Sequence, residues 1–234
     1  MHASSSAQQG YYYTFGSLIA LQIVFELGFS FVRLQMASSW LCGYFIYQLF
    51  NPVLFAYKGA VVAGQMGMSL SVVNALRSVA ISWINTKAAP FGGLVARKEY
   101  SALDSLFFRA SRQSLVVLTV GSIAVWLSDL YLNMAHVRFA QRLLSPAALA
   151  ILLLATILDT IIFAEALYLR AHKQEKFLLN SVLGALLVSA STFFLGRSYG
   201  AIGVVSGSLM IGLVMGLPLG TYTFFKYRRA WHEN

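Results

Sequence analysis

Several ionisable side chains in this sequence could do chemistry because they sit where water does not. Arg77 interrupts the apolar run Ala60–Thr86 about two-thirds of the way along it, and Glu26, Asp159 and Glu165 lie inside other apolar runs. An ionisable group at the centre of a membrane helix costs about 2.5–3.5 kcal/mol on insertion scales, so it faces a partner or a polar cavity rather than lipid. Arg77 offers a permanently charged planar fork that suits an anionic headgroup such as a pyrophosphate. Asp159, Glu165 and Glu26 are the groups that could take up and release a proton or a sodium ion. Gln65 and Asn74 share Arg77's run and are the candidate co-ligands, with Gln22, Gln48 and Asn85 as further amides for the same cavity. The plainer alternative makes Arg77 and an acid an ion pair that fixes the helices, and the amides interhelical hydrogen bonds. Asp159 and Glu165 are offset by about 120° on a helical wheel, which does not put them clearly on one face.

No other chemistry competes. The sequence has no Ser/His/Asp spacing, P-loop, zincin motif or dinucleotide-binding glycine pattern, and His2, His136, His172 and His232 all fall in tails or turns. No enzyme activity and no cofactor are expected. The single cysteine, Cys42, lies in an apolar run and excludes an intramolecular disulfide and a cysteine metal cluster.

The elements that must position these residues are membrane helices. Of 234 residues, 58% are hydrophobic and 11% charged, with mean hydropathy +0.69. Soluble domains carry about 25% charged residues, so lipid must solvate much of this surface. A spanning helix needs about 20 apolar residues, and seven runs qualify: Tyr11–Val32, Trp40–Tyr57, Ala60–Thr86, Gln113–Leu132, Pro146–Leu169, Phe177–Gly196 and Ser198–Phe225. Residues 1–10 hold no Lys or Arg and no signal-peptide cleavage site follows, so the first run is expected to be retained. The net charge of +9 sits between the runs, where the positive-inside rule accounts for it without a nucleic-acid partner. One side collects Arg33, the loop 87–112, the turn Arg170–Lys176 and the tail Lys226, Arg228 and Arg229. The other has Lys58, Arg138, Arg142 and Arg197. This predicts an outside N-terminus and a cytoplasmic C-terminus.

Within the loop, Ser101 and Asp104 have capping-box spacing, and Leu103, Leu106, Phe107 and Ala110 recur at helical spacing. The expectation is an amphipathic helix along the cytoplasmic membrane surface. The last run is rich in glycine. Gly203 and Gly207 form one GxxxG pair, and Gly212, Gly216 and Gly220 continue in a second register. Such spacing serves close packing within the chain, or self-association.

The runs FNPVLFAYKGAVVAGQMG and WINTKAAPFGGLVARKEY, with NALRSVAIS between them, resemble the Wzx-type polysaccharide or O-antigen flippases of the multidrug/oligosaccharidyl-lipid/polysaccharide exporter superfamily. The resemblance covers residues 40–230. It implies an all-α polytopic bundle whose relatives have two lobes of about six helices each, rocking to pass a lipid-linked glycan across the bacterial inner membrane. Residues 40–230 correspond to the second lobe, and residues 1–39 to a tail and one helix of the first. The resemblance thus implies an internally truncated chain that lacks the first and the third to sixth helices of the first lobe. It also implies lipid-linked glycan as the partner molecule, with a homodimer, a glycan polymerase or a glycosyltransferase as protein partners. Two alternatives remain: cation-coupled drug efflux, and a non-transporting scaffold or remnant of the glycan assembly system.

Overall fold

The computed structural model describes residues 48–172 and 177–232, with the side chain of His232 left out. The run Tyr11–Val32, with Glu26 and Gln22, lies outside the described residues, as do residues 40–47 of Trp40–Tyr57 and the turn 173–176. What is described is an all-α bundle. Helix α1 is Phe50–Lys58, α2 Ala60–Asn85, α3 Ala88–Ala96, α4 Tyr100–Met134, α5 Pro146–Arg170 and α6 Leu178–Ile211; a π-helix at Gly212–Gly216 leads into α7, Leu217–His232. Among the described residues, four helical stretches are long and apolar enough to cross a membrane: Ala60–Ala96, Tyr100–Met134, Pro146–Arg170 and Leu178–Trp231. The chain is a multi-pass membrane protein. Its outer wall agrees, since Val116, Val120, Leu186 and Val214 are 56%, 61%, 64% and 71% exposed, a side-chain surface that only lipid solvates at no cost.

Glycines set the reversals. Gly59, at φ 88°, separates α1 from α2 where the sequence places a boundary. Gly200 has φ 67° and ψ −144°, a conformation that only glycine adopts freely. There the chain doubles back, so the last stretch is a hairpin of arms 178–199 and 201–232. A Cβ on Gly203 would overlap the backbone carbonyl of Leu195, and one on Gly207 would overlap the Ser191 side chain. The runs Phe177–Gly196 and Ser198–Phe225 are these two arms. The first GxxxG pair is therefore used within the hairpin. The second register faces α5: Cβ atoms on Gly212, Gly216 and Gly220 would come nearest Leu158 Cδ1, Ile162 Cδ1 and Glu165 Oε2. Both series rise together, so α5 and the 201–232 arm run parallel.

The π-helix has a local cause. Pro218 has no N–H to give the Val214 carbonyl, and its ring crowds that carbonyl. The widened turn at Gly212–Gly216 absorbs the misfit.

Helix α5 opens as the sequence predicts, with Pro146 in its first turn and Ser145 Oγ accepting from the Ala148 N–H at 3.4 Å. Helix α4 differs from expectation. Residues 100–112 do not form a separate helix along the membrane surface. They continue in line with the span as one 35-residue helix, about 52 Å long against a hydrocarbon core of about 30 Å. The predicted apolar stripe exists, with Leu103, Phe107 and Ala110 buried, but it packs against α5 and α7. The N-cap is Glu99, without a side-chain cap bond; Asp104 is occupied elsewhere.

The two ends of the bundle differ. At one, Gln65 Nε2 donates to the Gln141 carbonyl (2.9 Å), Leu144 N–H to Ser69 Oγ (2.9 Å), and Lys58 Nζ to the Ser198 carbonyl (3.2 Å). At the other, aromatic rings from four helices meet: Phe107 lies 5.0 Å from Tyr168, 5.4 Å from Phe224 and 6.3 Å from Phe91, centroid to centroid. That end carries α3, the start of α4 and the basic end of α7, so the charge asymmetry read from the sequence is an asymmetry of the folded bundle.

Candidate functional site

The sequence-predicted residues divide into three groups. Gln65 is spent on the Gln141 carbonyl at the Lys58 end. Asn74 lies on the exposed face of α2. Arg77 turns inward, its guanidinium carbon 5.9 Å from the centroid of the Phe163 ring on α5. Gln65 and Arg77 are about 18 Å apart along the helix axis, so the structure does not bring Gln65, Asn74 and Arg77 into one cavity. Asn85 is exposed at the end of α2, and Gln48 is exposed before α1. Glu26 lies outside the described residues.

The acids are better placed than their wheel offset suggests. Asp159 lines a cavity of about 150 Å³ between α5 and the hairpin, with Ile162, Asn180, Ser208, Gly212 and Gly216. Glu165 is 7% exposed, and its Oε1 accepts from Thr221 Oγ1 at 2.9 Å. Both face the glycine register of the 201–232 arm. Missing side chains at Gly212, Gly216 and Gly220 leave room for carboxylates that bulkier residues would displace. The π-helix borders the Asp159 cavity, and Asn180 Nδ2 reaches the Gly216 carbonyl at 3.5 Å. Among the described residues, no ion pair joins Arg77, Asp159 or Glu165. Arg77 Nε, Glu165 Oε2 and Asn180 Oδ1 are buried with no hydrogen-bond partner there. Among the described residues, Arg77 therefore has no carboxylate partner in Asp159 or Glu165, and Glu26 lies outside them.

The cluster that sequence reasoning missed lies at the aromatic end. Arg228 on α7 donates to Asp104 Oδ2 on α4 through Nε (3.0 Å) and Nη2 (2.6 Å), while Tyr168 OH on α5 donates to Asp104 Oδ1 (2.8 Å). Tyr168 is fully buried and Asp104 is 9% exposed. Three helices are tied through one carboxylate. Asp104 and Arg228 are 124 residues apart, so no local spacing announces the pair. The one available signal was an acid set beside an apolar stripe in a predominantly basic loop. Next to it, His172 stacks on Trp231 at 3.6 Å and 8°.

A second cavity, about 350 Å³, opens at the Lys58 end among Lys58, Gln65, Ser145, Ser198 and Tyr199. The described residues contain no group of three or more potential metal ligands.

Comparison with protein families, with characterised proteins and with solved structures finds no match. What the chain itself establishes is a multi-pass, all-α membrane bundle with polar groups held inside its spans.

Proposed function

We propose that this chain belongs to a transporter that moves lipid-linked oligosaccharide or polysaccharide precursors across a bacterial inner membrane, without covalent chemistry of its own. The observation that carries this reading is Arg77, an intramembrane cation turned into the bundle with no carboxylate partner among the described residues. Such a group is costly unless an anion arrives, and a diphosphate-linked lipid is an anion that travels in the bilayer. The resemblance of residues 40–230 to Wzx-type flippases supplies the substrate class. Asp159 and Glu165 take the coupling proton or sodium ion. The aromatic, basic end faces the cytoplasm and the Lys58 end faces outward, which follows the positive-inside rule. A chain with one lobe's worth of helices works as a homodimer or beside a partner that supplies the other half, since alternating access needs two bodies.

The test is flipping of a fluorescent lipid-linked glycan in liposomes. The chain is expected to exceed empty vesicles, and Arg77→Ala to lower the rate about tenfold or more, the effect of losing one charge-assisted contact. A rate equal to that of empty vesicles removes the proposal. A second reading, cation-coupled drug efflux, is favoured by the acid-lined cavity at Asp159. A drug-susceptibility shift lost in Asp159→Asn, with no glycan flipping, selects it.

A further inference from the structure

We propose that residues 217–232 form a gate over Glu165, latched shut by Asp104 and Arg228 and hinged at the π-helix. The 201–232 arm is anchored in two different ways. Its first part is fixed to its hairpin partner by contacts with no slack, since Gly203 and Gly207 meet Leu195 and Ser191 too closely for a Cβ. Its last part meets other helices through contacts that include the Arg228–Asp104 ion pair, the Thr221–Glu165 hydrogen bond and the ring contacts of Phe224 and Trp231. Between the two parts stand the π-helix and Pro218, where the regular backbone ladder is already broken. A helix bends most readily at such a point.

The gate covers something specific. Glu165 Oε2 lies under Gly220, close enough that a Cβ there would sit 3.1 Å away, with Phe177 beside it. Swinging residues 217–232 away from α4 and α5 opens Glu165 to the basic end of the bundle. The same swing breaks the bond to Thr221. In the structure the latch is made, and residues 217–232 cover Glu165. Open cavities lie at both ends, about 350 Å³ beside Lys58 and about 700 Å³ along Thr221, Phe225 and Arg229, so it is the cover over Glu165 and not cavity volume that distinguishes the basic end. This inference holds whichever solute crosses, because it concerns only the path to Glu165.

Spin labels test it without any substrate. In a Cys42→Ser background, Arg109→Cys with Arg229→Cys reports the basic end and Val61→Cys with Arg138→Cys the opposite end, by double electron–electron resonance in nanodiscs. Asp104→Asn and Arg228→Gln are each expected to add a population longer by about 5 Å, the displacement of one helical turn, at the basic end only. The charge-reversed double variant, Asp104→Arg with Arg228→Asp, is expected to restore the parent distribution. Tyr168→Phe keeps the ion pair and is expected to show a smaller share of the long population, so the test survives if the stronger variants do not fold. Unchanged distances in the single variants, or equal lengthening of both pairs, overturns the gate.

Discussion

Gly203→Ala is expected to destabilise the bundle by about 3 kcal/mol, the upper part of the range for overpacking. The methyl would overlap the Leu195 carbonyl, which is backbone and cannot rotate away. The arms of the hairpin must then separate, and with them the contacts that run from Gly203 down to Asn180 and Gly216. Gly212→Ala is the matched control. Its nearest neighbour is Leu158 Cδ1 at 4.0 Å, an ordinary van der Waals contact, so its effect is expected within about 0.5 kcal/mol. Both lie on the same arm and both belong to a GxxxG spacing. Denaturation of the detergent-solubilised variants separates them. Equal stability of the two would mean that the hairpin does not close at Gly200.

The second large effect is expected at Asp104. Asp104→Ala removes the acceptor for Arg228 and for the fully buried Tyr168 hydroxyl at once. It leaves a guanidinium and a phenol facing the rings of Phe107, Phe108 and Phe224. Breaking a buried pair in this way costs about 3–5 kcal/mol. Arg228's side chain is 28% exposed, and water screens part of that, so about 2–3 kcal/mol is expected. Tyr168→Phe, which strands only one of the carboxylate's bonds, is expected to cost about 1 kcal/mol. Glu99→Ala breaks the Arg97–Glu99 pair, whose side chains are 65% and 50% exposed, and is expected to change nothing measurable. If Glu99→Ala and Asp104→Ala were alike, the three-helix tie would be a surface contact.

What could be read in the sequence was what depends on local pattern. Span boundaries at Gly59 and Pro146 follow from the conformational limits of glycine and proline, while the last reversal, read between Gly196 and Ser198, falls at Gly200, the position with φ 67°. The separation of charges onto two ends follows from the cost of burying them in lipid. The extent of α4 was not legible, because the polar residues of 100–112 mark where water begins, and a helix does not stop at that border. Packing partners were not legible either. The glycine spacings were visible, yet nothing local says that Gly203 meets Leu195 while Gly216 meets Ile162. For the candidate site, Asp159 and Glu165 were identified by residue type. Their common exposure to one glycine-lined arm was not, since the wheel offset of about 120° is bridged by cavities on the partner helix. Gln65 and Asn74 were grouped with Arg77 by polarity, but position along and around α2 separates them. Asp104 was assigned a local cap because its real partner is 124 residues away.

The account rests on helices that cross the bilayer with the aromatic, basic end in the cytoplasm. Single cysteines in a Cys42→Ser background test this directly, using an impermeant thiol reagent on intact cells. Ala135→Cys, at the Lys58 end, is expected to label from outside. Ala96→Cys, at the basic end, is expected to label only after the membrane is made permeable. Labelling of Ala96→Cys in intact cells, with Ala135→Cys protected, would contradict the account.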